Sequence, residues 1–417
     1  MRKILLGTTA VVGAALLGAT AAQAQTAPTV RVGGFMVTMF NYVNDDLDKA
    51  AGPGTLTGVS GAGAVSRDKT DFRNELEVQV FVTGKAANGM SYGGVIEFQN
   101  DNSGASGAGT AVDIDEAYVF VSSPTLGTIR FGEEDSAASL LQVRHPQITG
   151  LGSDGDWDDG VLGSQARTGG GPSLLTGIND GNDSTKIVYL SPQFFGFDFG
   201  ASFSPNAGEG ERITYGRVFD TFSTTAASPA VPLNNLQRDG TALSNEFSGA
   251  IRYRGSFGNV GIAAGFGAMR ADAPSASAGG AAISGRDITA YTAGLNVSAF
   301  GFTVGGEYTW GNYSGVSAGR GALAQGRDGS DLYVVGATYV TGALSFGGWY
   351  GVATQDNGTG VQDREQTAFG VGAAYTIAPG LEIFGSYNKL EDKNVNISAQ
   401  LRDRNVDVFF LGTRLAF

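Results

Sequence analysis

The chain has 417 residues, 66 of them glycine and 11 proline, with no cysteine, one histidine and a formal charge of −13. The absence of cysteine excludes a disulfide scaffold, and so little proline beside a glycine share more than twice the usual ~7% excludes a collagen-like or disordered chain. One histidine cannot build a multi-histidine metal centre, and the acidic field repels nucleic acid while favouring cations.

Residues 1–24 read as a signal peptide. Met1-Arg2-Lys3 precedes an apolar stretch from Ile4 to Leu17 and the small-residue sequence Ala22-Gln23-Ala24, with cleavage expected after Ala24. Losing Arg2 and Lys3 with it takes the formal charge from −13 to −15. Beyond Gln25 no run approaches the roughly 18 to 20 consecutive apolar residues that a membrane-spanning helix needs. The chain is therefore expected to be exported and to lack membrane helices, with residues 25–417 forming one domain.

From about Val30 onward one unit repeats: a strand-like segment, a short Gly/Pro/Asn turn, another strand and a longer polar loop. About eight such units imply about sixteen strands. In Thr70 to Val82, Asp71, Arg73, Glu75, Glu77 and Gln79 interleave with Phe72, Leu76, Val78 and Val80, so one face is apolar and the other charged. The pattern recurs in Glu246 to Arg254, where Phe247, Ile251 and Tyr253 oppose Glu246, Ser248, Arg252 and Arg254, and in Thr367 to Ile377. A water-soluble sandwich shares this alternation, and a barrel with a polar interior shares the near-zero mean hydropathy.

The connectors separate the two. Short ones, such as Ala86-Ala87-Asn88-Gly89, Ser123 to Gly127, Ser191 to Gly196, Thr341-Gly342 and Ala378-Pro379-Gly380, alternate with long polar ones at about 44–69, 100–112, 133–183, 204–244, 269–286, 311–329, 352–364 and 391–404. Strict alternation puts tight turns at one end of a barrel and large loops at the other, as in outer-membrane barrels. Aromatic residues near strand ends, among them Phe194, Phe195, Phe257, Phe300, Tyr308 and Trp310, fit belts at two membrane–water boundaries.

In the last strand, Asn405 to Phe417, the side chains of Phe409, Leu411, Leu415 and Phe417 share one face. With Asp115 to Val121 and Gly127 to Ala137, this strand makes the whole mature chain resemble the general porins of Gram-negative bacteria. The resemblance implies a transmembrane antiparallel up-and-down β-barrel in the outer membrane, a homotrimer, no cofactor, and a terminal Phe417 read by the barrel-assembly machinery. It also implies that the third long connector, about Glu133 to Asp183, folds inward and narrows the pore.

That connector carries Glu133, Glu134, Asp135, Asp154, Asp156, Asp158 and Asp159. Folded inward, these carboxylates would face cations on the wall, for which parity nominates Arg73, Arg130, Arg252, Arg254 and Lys186. Opposed charges across a narrow aqueous gap exclude apolar solutes and select ions. The alternative is a solvated acidic surface loop. Asp154-Gly155-Asp156-Trp157-Asp158-Asp159-Gly160 is similar to a calcium loop, but its sixth place is Asp159 instead of glycine and its twelfth is Gln165 instead of glutamate, so at most weak calcium binding is expected. Gly150, Gly152 and Gly155 match a dinucleotide fingerprint without its strand–helix context.

The function expected is passive diffusion of small hydrophilic solutes and ions through a water-filled, cation-preferring channel embedded in outer-membrane lipid. Three rivals use the same barrel: a substrate-specific channel, an enzyme relying on His145 as its base, and an adhesin with a plugged lumen.

Overall fold

The computed structural model describes residues 24–46, 68–101, 113–153, 155, 157–158, 161, 177–178, 184–206, 243–273, 286–313, 329–356, 358, 360–397 and 400–417. Among these, the strands of the first half are β1 (Ala24–Asp45), β2 (Thr70–Ala86), β3 (Ser91–Asp101), β4 (Asp113–Ser123), β5 (Gly127–Glu133), β6 (Thr185–Leu190), β7 (Phe197–Asn206) and β8 (Ser244–Phe257). The second half supplies β9 (Val260–Asp272), β10 (Ile288–Ala299), β11 (Phe302–Asn312), β12 (Ser330–Thr341), β13 (Leu344–Gln355), β14 (Arg364–Ala378), β15 (Leu381–Ile397) and β16 (Gln400–Ala416). A short helix, α1 (Ala137–Leu141), lies between β5 and β6. Of the signal-peptide reading over residues 1–24, residues 1–23 lie outside the described residues, and Ala24 opens β1.

Each strand runs antiparallel to its neighbours in chain order, and β1 pairs with β16 to close the barrel. The seam runs from Phe35 opposite Ala416 to Asp45 opposite Val406. It finishes with Gly34 N–H donating to the Phe417 carbonyl at 3.1 Å and Phe417 N–H donating to the Gly34 carbonyl at 3.0 Å. Closure leaves no strand edge, so the ladder is satisfied within the chain, as hydrocarbon requires. Among the described residues no helix is long and apolar enough to cross a membrane.

Period-2 alternation sorts the side chains. Phe199, Phe247, Ile251, Leu295, Val304, Val335 and Val371 are exposed on the outward face, where lipid would cover them. The opposite parity carries Ser202, Ser248, Thr292, Glu307, Thr309 and Asn388, all buried. Phe195, Phe257 and Phe300 stand out at the short-turn end, while Tyr291, Tyr308 and Trp310 stack near the loop end, with ring centroids 5.6 and 4.9 Å apart. These are the two aromatic belts expected of a membrane barrel.

Two expectations change. The long loop expected at 391–404 is instead strand: β15 runs to Ile397 and β16 starts at Gln400, with Val395 opposite Arg402. Charged residues on both faces erase the alternation there, while Lys393 Nζ–Glu365 Oε1 at 2.8 Å and Asn394 N–H to Asp403 Oδ1 at 3.1 Å tie neighbouring strands together. The inward parity is also not polar throughout. Val37, Met39, Leu332, Val334, Trp349, Phe384, Val408 and Phe410 face inward and are buried in one cluster with Leu151, Trp157 and Val161 of the third connector. Apolar side chains persist on that wall because another part of the chain removes them from water.

Candidate functional site

The third connector leaves β5 at Glu134 and passes the inward-parity side chains of one strand after another. Ser136 caps α1, its Oγ accepting from Ser139 N–H at 3.2 Å. The next two free N–H groups of the helix, those of Ala137 and Ala138, donate to Ser202 Oγ of β7 at 3.0 Å and Ser248 Oγ of β8 at 3.1 Å. A helix start needs acceptors for its first amides, and here the wall supplies them.

Beyond the helix, Asn296 of β10 donates to the Arg144 carbonyl at 2.8 Å, and His145 Nδ1 lies 2.7 Å from Glu307 Oε1 of β11. Thr149 Oγ1 donates to Glu382 Oε2 of β15 at 2.7 Å, and the Trp157 ring packs against Trp349 of β13 with centroids 5.8 Å apart. Glycine makes room for this path. A Cβ on Gly294 of β10 would sit 1.7 Å from the Val143 carbonyl oxygen. Gly150 turns with φ +70°, and a Cβ there would sit 2.3 Å from the Phe384 ring.

The candidate acids distribute unevenly. Glu134 is buried and accepts from Arg130 at 2.8 Å, and the Lys186 ammonium donates to its carbonyl. Burial pushes the Glu134 carboxyl up from its ordinary value, against the lowering pull of Arg130 and Lys186. Asp135 lies within electrostatic reach of Glu116, whereas Glu133 ends β5 on the parity of outward-facing Phe131. Asp154, Asp156 and Asp159 lie outside the described residues, and with them most of the calcium-like loop. Asp158 is described, and its N–H donates to the Gly155 carbonyl at 3.1 Å.

The candidate cations do not form one group. Arg130 serves Glu134 and lies 5.0 Å from the Tyr118 ring centroid, and Lys186 is buried beneath the same loop residue. Arg252 and Arg254 converge on Asp198 of β7 at 2.8 and 2.7 Å, near the short-turn end. Arg73 lies on β2, opposite Met39 in the ladder. Phe417 is 55% exposed at the seam.

Sequence reasoning overlooked the acids of the wall itself. Gln79 Nε2 bridges Glu77 Oε1 at 2.8 Å and Glu97 Oε2 at 2.6 Å, and Gln99 donates to Asp115 at 2.8 Å. Glu116 joins this set and interacts with Glu134. The alternation that revealed Glu77 also places Glu97 on the inward face, so a strand-by-strand census of inward acids would have found it.

A closed barrel of sixteen antiparallel strands, apolar outside and belted by aromatics, with a loop secured against a charged wall, defines an outer-membrane barrel protein. The model of the Gram-negative porin family matches residues 7–395, and the chain belongs to that family and to the outer membrane. No curated protein matches it. Among solved structures, the trimer form of in-vitro folded OmpT, an outer membrane protein of Vibrio cholerae, is similar at 14% identity and a TM-score of 0.55, covering 94% of this chain and 100% of that one. A mutant of the Rh. blastica porin is similar at 16% identity and a TM-score of 0.52, covering 93% and 100%. At these identities the likeness shows the barrel fold.

Proposed function

We propose that this porin is a passive, cation-preferring diffusion channel, and that the described part of the third connector, Glu134 to Ser153 with Trp157 and Val161, lies inside its lumen and narrows it. The observation that carries the reading is the chain of contacts from Ala137–Ser202 through His145–Glu307 to Thr149–Glu382, made on the parity opposite the exposed apolar face. A segment held along β7 to β16 leaves water the side lined by β2 to β5. There the carboxyl groups of Glu77, Glu97, Asp115 and Glu116 outnumber the cations Arg73 and Arg130, the latter held by Glu134. A ring biased to carboxylates lowers the energy of a passing cation and raises that of an anion. Solutes move down their gradients through water, with no cofactor and no reaction step.

His145 supports a channel over an enzyme, because both of its ring nitrogens are engaged, Nδ1 by Glu307 and Nε2 by Ser153 N–H at 3.3 Å. Assembly as a homotrimer is part of the same proposal, supported by the trimer form of Vibrio cholerae OmpT and by the outward apolar face. Recognition of Phe417 by the assembly machinery is proposed from its place at the closing seam. The test is single-channel conductance and reversal potential in a planar bilayer under a salt gradient. Steps in threes with a cation-selective potential are expected, and silence or anion selectivity refutes the reading.

A further inference from the structure

We propose that the pore rectifies: opposite charge at two levels of its lumen makes it pass more current when the long-loop end is positive than when the short-turn end is. This rests on the channel reading above and adds a direction to it. Inward parity brings cations to the short-turn end on opposite sides of the barrel. Lys85 shares a face of β2 with Gln79, Arg31 stands opposite Phe81 of that face, and Arg414 shares the face of β16 that holds buried Phe410. Arg252 and Arg254 follow buried Glu246 and Ser248 down the inward face of β8. Each stands within five residues of its strand's end there, Phe81 on β2 serving as the mark for Arg31.

Their charge is not cancelled. Arg31 lies over the Phe81 ring at 4.1 Å and Arg414 over the Phe35 ring at 4.7 Å, contacts with aromatic faces that leave the positive charge in place. Arg31, Lys85 and Arg254 are exposed, and Arg252 and Arg254 share the single carboxylate of Asp198. The other carboxylates within the same reach of the turns are Glu382, which accepts from Thr149 and Thr376, and Glu307, which faces His145. Arg130 and Lys186, also near that end, are tied to Glu134. Among the described residues this makes seven cations against three carboxylates at the short-turn end.

Further up the wall the sign reverses. Ile96 pairs with Ala117 and Phe98 with Ile114, so Asp115 and Glu116 together oppose Glu97 in a β-bulge. The bulge sets two carboxyl groups at the level of Glu97, beside Glu77, with which Glu97 shares the Gln79 amide. Glu134 joins the group from the connector: its Oε1 is buried with no hydrogen-bond partner among the described residues, and it interacts with Glu116. A basic zone and an acidic zone in series on one water path make the two field directions unequal. With the loop end positive, cations enter through the acidic zone and anions through the basic one, and both collect where the zones meet. With the field reversed, each ion must first cross the zone of its own sign, so the meeting region empties of carriers and resists current.

The test is current at equal and opposite potentials through the full chain in a planar bilayer. It is run in KCl of about 0.1 M, where the Debye length of ~10 Å reaches into the lumen, and of about 1 M, where ~3 Å does not. Val361, exposed between β13 and β14 in a chain without cysteine, gives the orientation: biotin coupled at Val361→Cys and streptavidin added to one chamber report which end faces it. The wild type should pass about 1.5-fold or more current with the loop end positive at the lower salt, and equal currents at the higher. Arg31→Gln, Lys85→Gln and Arg414→Gln together should bring the two currents toward equality while the reversal potential becomes more cation-selective. Glu77→Gln with Glu97→Gln should also reduce the asymmetry, with the reversal potential moving the opposite way. Equal currents in the wild type at low salt, the larger current at the other polarity, an asymmetry that survives high salt, or an unchanged ratio in either variant overturns the rectifier and leaves the channel standing. Silence at both polarities overturns the channel reading itself and the rectifier with it.

Discussion

The closing seam carries a buried ion pair whose removal should be costly. Arg404 of β16 meets Asp45 of β1 in a two-pronged contact, Nε to Oδ1 at 3.0 Å and a terminal nitrogen to Oδ2 at 2.5 Å, with both side chains 0% exposed. Arg404 also stands directly opposite Asp392, which already holds Arg364 at 2.9 and 2.6 Å. Asp45→Ala would leave Arg404 buried without its own carboxylate, and breaking one side of such a pair costs about 3–5 kcal/mol. Replacing both, as Asp45→Leu with Arg404→Met, removes the desolvation cost together with the attraction and should lie within about 1–4 kcal/mol of the wild type on the stable side. The assay is equilibrium urea unfolding in lipid vesicles, followed by tryptophan fluorescence and by heat-modifiable migration on gels. A single variant as stable as the wild type, or a double variant showing the sum of two single losses, would refute the argument that this pair is dry and mutually dependent.

Three further outcomes follow from the site. Gly294→Val should force the connector away from β10 and change single-channel conductance while the barrel still folds, at an overpacking cost of about 1–3 kcal/mol; unchanged conductance would mean the segment does not bound the pathway. Burial raises the Glu134 carboxyl relative to the unfolded chain, so the folded state holds this proton more readily and stability is lost as pH rises from the ordinary carboxylate value through the raised one. Unfolding midpoints of Glu134→Gln should accordingly gain on the wild type as pH increases, and parallel curves would contradict the burial argument. Replacing Glu77, Glu97 and Glu116 together by glutamine should move the reversal potential toward the unselective value, and a potential unchanged from the wild type would transfer selectivity to another part of the pore.

The sequence by itself determined the local order: which residues alternate, where turns interrupt them, and that the connectors come short and long by turns. Those features depend on neighbours in the chain, so Phe247, Ile251 and Tyr253 announce an outward face before any partner strand is known. The same locality explains the failure at 391–404, where charge on both faces hides a strand that only its pairing with β14 and β16 reveals. Tertiary structure alone decided the path of the third connector. The contacts that hold it join residues far apart in sequence, 65 for Ala137–Ser202, 162 for His145–Glu307 and 233 for Thr149–Glu382, and none has a local signature. It also decided that an inward apolar patch can exist, that Arg252 and Arg254 serve Asp198, and that Asp45 finds Arg404 across 359 residues. Strand periodicity is a property of the backbone pleat and can be read one segment at a time, whereas the identity of the opposing group is set by closure of the whole sheet.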